Sequence, residues 1–416
     1  MTSTRSVPEH LRPTDLLSAA ARRTTTSAVR DLLEHARRPG VLSLAGGLPD
    51  PDGFPAGRIA GIAHDRVTTT PGDVLQYGLT AGSVAFRQVI ADRHPGRSID
   101  EILVTTGSQQ AIHLLAQVLL DPGDTVIVGD PDYLGALQAF RASGARLDPV
   151  TVDRDGLDVD EIADRIAAGS PPKLVYAVPH FHNPTGSTLT DDRHAALLAL
   201  ALEHRFLVVL DDPYRDLGGS GGPARPPVHH PNVVHLGSTS KILAPGLRVG
   251  WMIGPRWLLT AVERAKQSAD LHTSELCQAI VADALTAPWF NDHVESVRAA
   301  NTVRRDALIT ALAGTFADRV AVDRPAGGMF AWVRFVDGTD TTAFLTTALD
   351  HGVAFVPGSA FAVERDLRHH ARLSWATNEP AVLRDAVDRL DRAHRAHTAT
   401  AGSRQPSSSS KASTTH

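Results

Sequence analysis

Lys241 closes the run Gly237-Ser-Thr-Ser-Lys241 and is followed by Pro245-Gly-Leu-Arg248-Val-Gly-Trp251. An apolar stretch precedes this lysine and a second one trails it, so its side chain is expected in a cleft rather than in open solvent. Taking an ammonium group out of water disfavours its charged form, lowers its pKa and leaves an amine able to form a Schiff base with a carbonyl compound. Ser238, Ser240 and Arg248 share this stretch, and hydroxyls beside a forked guanidinium suit a phosphate. A second phosphate signal is Gly107-Ser108-Gln109-Gln-Ala, which leads into an apolar-periodic helix over 111–119. The unpaired N–H groups and the dipole of a helix N-terminus attract an anion, although Gly-Ser in this place also serves as a plain cap. Arg372, in Ala-Arg-Leu-Ser-Trp375, lies in a strand-like run where a buried guanidinium needs an anion. An internal acid and a bound carboxylate both satisfy that need.

These residues require a scaffold that brings distant segments together. Between about residues 85 and 255, helical periodicity alternates with short β-branched or apolar runs at 102–105, 125–128, 174–178, 206–210, 233–236 and 249–253. That rhythm predicts an α/β fold with a mostly parallel central sheet covered by helices on both faces. Polar punctuation follows several of the runs: Thr106-Gly-Ser-Gln109, Asp130-Pro-Asp-Tyr133 and Asp211-Asp-Pro-Tyr214. In open α/β sheets ligands sit beyond the carboxyl ends of the strands, so these loops should converge on one crevice. A helical stretch over about 288–313 leads to a smaller α+β lobe. Its strands are expected within Arg324-Pro-Ala-Gly-Gly-Met-Phe-Ala-Trp-Val-Arg334, within Gly352-Val-Ala-Phe-Val-Pro-Gly358 and around Arg372, and a last helix over about 380–396 closes it. The expected organisation is an N-terminal arm and helix at 1–55, a large domain at 56–290, a small C-terminal domain at 291–396 and a Ser/Thr-rich disordered tail at 397–416.

Composition narrows the function classes. The chain has 416 residues, 42% hydrophobic and 21% charged, with a net charge of −5. Such a balance supports a large buried core and gives no global positive field for nucleic acid or anionic membrane. The one cysteine, Cys277, excludes an internal disulfide and a multi-cysteine metal site. None of the 20 histidines shows convincing metal-ligand spacing, and no metal is assigned. The first residues lack a signal-like apolar core, and the longest apolar runs, such as 195–202, fall short of the roughly 18 residues of a membrane span. A cytoplasmic location is expected.

In order and spacing, the motifs from about residue 27 to 380 resemble the fold-type I pyridoxal-phosphate enzymes, specifically the class I/II aminotransferases of the 2-aminoadipate and kynurenine aminotransferase group. The resemblance implies pyridoxal 5'-phosphate as cofactor, joined to Lys241 as a Schiff base. Lys241, once released, would shuttle the proton between the substrate Cα and the cofactor. Asp211 would pair with the ring nitrogen, where a carboxylate favours the protonated, electron-withdrawing ring. Tyr214 and Asn183, the latter in His182-Asn-Pro-Thr-Gly186, would donate to the ring's phenolic oxygen. Tyr133 would stack on the ring face. Ser108, Gln109, Ser238, Ser240 and Arg248 would surround the phosphate, and Tyr77 would be lent to it by a neighbouring subunit, which implies a homodimer with shared active sites.

On the substrate side, the resemblance places the α-carboxylate on Arg372, assisted by Asn183. It matches Arg30, in Ser27-Ala-Val-Arg30, to an arginine that meets the distal end of the substrate. Gly46 and Gly47 would let the backbone approach the substrate side chain without a Cβ in the way. His180 and His182 are expected to line the cleft beside the Asn183 loop. The implied activity is transfer of an amino group between an L-amino acid and a 2-oxo acid by a ping-pong cycle, with 2-oxoglutarate or glutamate as one partner. Three alternatives stay open at this stage: decarboxylation, elimination or replacement, oxidation or cyclisation on the same cofactor; the effector half of a fused transcription regulator, which needs a DNA-binding domain ahead of Ser27; and a non-catalytic cofactor carrier.

Overall fold

The computed structural model describes residues 13–24, 38–218 and 229–402. Its centre is an eight-stranded sheet in the order Ile102–Thr105, Gly250–Ile253, Val233–Ser238, Leu207–Asp211, Leu174–Ala177, Thr125–Asp130, Arg146–Asp153, Gly156–Leu157. The central strands are buried almost throughout, which explains their unbroken apolar runs: strands covered on both faces do not alternate. Helices supply the cover. Ser108–Leu119, for example, buries Ala111, Ile112, Leu115 and Ala116 against the sheet core.

The sheet is parallel through its middle and antiparallel at both ends. Gly250–Ile253 runs against both of its neighbours, and Gly156–Leu157 runs against Arg146–Asp153. The reversal before Gly250 bears on the site. An antiparallel return needs no crossover helix, so the short link from Ser238 to Gly250, which carries Lys241 and Arg248, turns back at the sheet edge. The ends at Thr105, Asp130, Ala177, Asp211 and Ser238 all emerge on that same edge. The long strand Arg146–Asp153 was not expected from the sequence. It contains Pro149 and the charged residues Arg146 and Asp148, and Asp148 is held by Arg165 at 2.9 Å.

A second sheet of four antiparallel strands, Val320–Val322, Phe330–Phe335, His370–Ser374 and Val356–Pro357, stands beside the first. Its own core holds Leu308, Phe316, Phe335, Phe344, Phe355 and Trp375. The N-terminal arm is built into this lobe: Leu42–Ser43 pairs in parallel with Val353–Ala354, and Leu44 is buried in the same core. The last helix, Pro380–Gly402, continues past residue 397, where a tail was expected. The ring of His397 packs on Phe344, and Thr398 and Thr400 bond back to the carbonyls of His394 and Ala396. Residues 403–416 lie outside the described residues. No helix among the described residues is long and apolar enough to cross a membrane.

Candidate active site

At the shared sheet edge the loops enclose a cavity of about 330 Å³. Ser108, Gln109, Tyr133, Asn183, Asp211 and Tyr214 line it, together with Ser238, Ser240, Lys241, Arg248, Arg372 and Gly47. Two other proposed site residues are not part of this cluster. Tyr77 is 78% exposed and packs edge-on against His272, away from this chain's own cavity. Gly46 does not line the cavity, and a Cβ built on it meets nothing within 4 Å, whereas one on Gly47 would lie 2.9 Å from Phe330. Arg30 lies outside the described residues.

Three cations face the cavity and spend their hydrogen bonds on neutral oxygens. Lys241 Nζ donates to the Gly47 carbonyl at 2.9 Å. Arg248 donates to the carbonyls of Thr106 and Pro245. Arg372 donates to Asn183 Oδ1 at 2.8 Å and to the Ala45 carbonyl at 2.7 Å, with Nε buried and unpartnered among the described residues. Burial, reinforced by the neighbouring Arg372 and Arg248, lowers the Lys241 pKa to about 8. Burial likewise brings Arg372 down to about 10. Positive charge held this way, without full compensation, favours an anionic guest.

Asp211 ends its strand and is buried. Tyr176 donates to its Oδ2 at 2.8 Å, while Oδ1 has no partner among the described residues. Burial pushes this carboxyl up to about 7. An orphaned, desolvated carboxylate oxygen calls for a cationic donor, and a protonated pyridine nitrogen is one. At the end of the adjacent strand, Ser238 bonds Ser240 through their hydroxyls at 2.8 Å. The helix Ser108–Leu119 starts at the cavity without a side-chain cap. Gly107 precedes it at φ +88°, and a Cβ there would lie 2.6 Å from Arg248 Nη2. Hydroxyls, open helix N–H groups and a guanidinium on one side, with the orphaned carboxylate oxygen in the same cavity, match the phosphate and ring nitrogen of pyridoxal phosphate. Asn183 joins the two halves: it accepts from Arg372 and donates to the Tyr214 hydroxyl at 3.3 Å. Burial also raises Tyr133, to about 12, and Tyr214 further, so both phenols stay protonated as donors.

His180 and His182 are not on the cavity lining, contrary to expectation. Both are buried one layer behind it, spent on Asp212 at 2.9 Å and Asp132 at 3.2 Å respectively. Their place in the Asn183 loop was legible, but the carboxylates that draw them inward come from the loops that follow two other strands.

Sequence reasoning also passed over Phe330 and Phe361, whose rings lie 4.3 and 4.8 Å from the Arg372 guanidinium. Asp130 was missed too; it accepts the backbone N–H groups of Val363, Glu364 and Arg365 and so ties the large sheet to the small lobe. Tyr176 is the most consequential omission. Its only signal was a hydroxyl inside a buried strand adjacent to the one ending in Asp211. Because its hydrogen bond favours the ionised carboxylate, Tyr176→Phe should raise the Asp211 pKa. It should also weaken cofactor binding by about tenfold, the worth of one hydrogen bond to a charged group. Titration of the apo-protein with pyridoxal phosphate measures this; an unchanged Kd removes Tyr176 from the site.

A family model described as aminotransferase class I and II matches residues 45–390. The chain is 38% identical over 379 residues to 2-aminoadipate transaminase from Thermus thermophilus, which spans 89% of this chain and 94% of the relative. It is 36% identical over 376 residues to aromatic-amino-acid aminotransferase 1 from Thermococcus litoralis, covering 88% and 90%. Among solved structures, the α-aminoadipate aminotransferase of Thermus thermophilus complexed with N-(5'-phosphopyridoxyl)-L-leucine superposes with a TM-score of 0.87 at 35% identity. That match covers 94% of this chain and 100% of the other.

Proposed function

Because the chain belongs to the class I and II aminotransferases, pyridoxal-phosphate-dependent enzymes of fold type I, we propose that it exchanges amino groups between an L-amino acid and 2-oxoglutarate through the cavity around Lys241. The observation that carries this reading is the joint placement of Lys241, Asp211 and Arg372 on one cavity of substrate size. When bound, the cofactor supplies a carbonyl carbon that exchanges amines and a ring that accepts electrons from the substrate Cα. Asp211, with Tyr133 and Tyr214, would hold its ring, and Ser108, Gln109, Ser238, Ser240 and Arg248 its phosphate.

The protein's own groups do the rest. Arg372 binds the α-carboxylate with its forked guanidinium, and Asn183 keeps that fork aimed through its Oδ1. Lys241 Nζ, depressed to about 8, is a sufficient base near neutral pH to take the Cα proton and a sufficient acid to return it. Both half-reactions use this pocket, so donor and acceptor share the Arg372 grip and differ only in their side chains.

The names of the relatives, 2-aminoadipate and aromatic amino acids, support a donor with a long or bulky side chain. The exposed Tyr77 supports a homodimer in which each subunit lends this residue to the other's phosphate site. We place the enzyme in the cytoplasm and in amino-acid biosynthesis. Mixing it with candidate donors and 2-oxoglutarate should yield one glutamate per donor consumed. Release of ammonia or carbon dioxide without glutamate overturns the reading in favour of another reaction on the same cofactor. Arg30→Ala should cost 2-oxoglutarate about tenfold more in kcat/KM than pyruvate, as expected for one lost carboxylate pair. Equal losses with the two acceptors would remove Arg30 from distal recognition.

A further inference from the structure

Residues 45–50 have no regular secondary structure, yet they cross the cavity and touch its two central cations. The Ala45 carbonyl accepts from Arg372 and the Gly47 carbonyl from Lys241. Upstream the segment is sewn to the small lobe. Leu44 donates to the Ala354 carbonyl at 2.7 Å, Ser374 donates to the Leu44 carbonyl at 2.7 Å, and Asn378 donates to the Ser43 carbonyl at 2.8 Å. Downstream the anchor among the described residues is one ion pair. Arg304, on the helix Phe290–Phe316, reaches Asp50 and also Glu379, and donates to the Ala376 carbonyl at 3.3 Å. Arg304 and Asp50 are 9% and 17% exposed at their side chains, while Glu379 is 70% exposed. The two carboxylates on one guanidinium therefore differ in kind, one shielded and lying on the strap, the other in solvent and away from it.

Resting on the functional reading above, we propose that Arg304 is a positioning residue: through Asp50 it fixes the strap 45–50, so that the Ala45 and Gly47 carbonyls set the orientation of Arg372 and Lys241. Without this anchor, the side-chain hydrogen bonds left to the strap from the rest of the cavity, among the described residues, are those of the two functional cations, Arg372 at Ala45 and Lys241 at Gly47. They would then orient the strap instead of being oriented by it. Asp50 also accepts the Asp52 N–H at its Oδ1, the oxygen not used by Arg304, so an asparagine there keeps the local turn while removing the charge.

The test compares Asp50→Asn with Glu379→Gln, which remove one carboxylate each from the same guanidinium. On the cofactor-loaded protein, Asp50→Asn should speed amide hydrogen exchange within residues 45–50 by about tenfold and raise the amino-acid KM about fivefold, the scale of one hydrogen bond to a charged group. Glu379→Gln should leave both within about twofold, as for an exposed pair. Arg304→Lys, which keeps a cation able to donate to Asp50, should hold exchange at the strap to within about threefold of the parent. Equal behaviour of Asp50→Asn and Glu379→Gln, or a lowered Tm in Asp50→Asn with unchanged exchange and KM, overturns the proposal. The exchange measurement needs no substrate, so it decides the role of the strap whether or not a given amino donor turns over.

Discussion

Lys241→Ala should leave a folded protein that shows no visible absorbance from covalently held cofactor and turns over at least about 10⁴-fold more slowly, a barrier increase of roughly 5 kcal/mol. Two separate functions disappear together: the amine that captures the cofactor and the base that moves the Cα proton. The side chain is half-buried and, among the described residues, makes one hydrogen bond, to Gly47. Its removal breaks no ion pair among the described residues and relieves the repulsion from Arg372 and Arg248, which offsets the lost attraction to Asp211, so stability should hold. Lys241→Arg separates charge from chemistry, because it retains a cation near the cavity with no nucleophilic nitrogen at neutral pH; it should be as inactive as the alanine variant. A pH dependence follows from the depressed pKa of about 8. Only the neutral amine attacks a carbonyl, so the rate of cofactor capture by the apo-protein should climb as pH rises through about 8 and level off above it. An ordinary lysine would still be climbing toward its usual 10.5. Retention of the visible band and of full turnover in Lys241→Ala would place the reaction on another residue.

The cluster around Lys241 was legible in the sequence for a physical reason. Strand ends in an open α/β sheet need polar residues to leave the core, and those polar residues are the ones that meet the ligand. Asp211, Ser108 and Lys241 occupy or follow such ends, so apolar runs followed by polar punctuation located them, whereas Asn183, in a loop further from its strand, came from the family resemblance. Residues that act from within an element gave no such mark. Tyr176 lies inside a buried strand, and its hydroxyl is explained only by the register that sets that strand beside the one ending in Asp211. The direction of Gly250–Ile253 was hidden as well, since an apolar run does not record which way the chain travels. The arm was read for its glycines and for a distal arginine. Its structural meaning, a strap pinned by a pair 254 residues apart in the chain, rests on a partner that no local pattern reveals. The end of the final helix was misjudged because composition alone was read after residue 397. There the hydroxyls are satisfied by their own helix, and the ring of His397 completes an aromatic contact.

Arg372→Lys should lower kcat/KM by about 10² to 10³ for every α-amino acid and 2-oxo acid tried, while the cofactor absorbance stays as in the parent. The guanidinium is buried between Phe330 and Phe361, whose rings favour a flat, weakly hydrated cation. It also bridges two parts of the site, using Nη1 on Asn183 and Nη2 on Ala45. A lysine ammonium supplies charge but no fork, so it must abandon either the bidentate hold on a carboxylate or one of these two contacts. Desolvation already pulls the arginine down to about 10. A lysine in the same place, with a lower intrinsic pKa, would be driven further toward its neutral form and lose its hold as pH rises. The loss in Arg372→Lys should therefore grow with pH across the neutral range, opposite in sign to the rise expected for cofactor capture by Lys241. Comparing an amino acid with the amine that lacks its carboxylate isolates the effect. The parent should prefer the amino acid strongly, and the variant should lose most of that preference by slowing the amino acid rather than by accelerating the amine. If both substrates slow by the same factor, Arg372 supports the fold of the site and the α-carboxylate is held elsewhere.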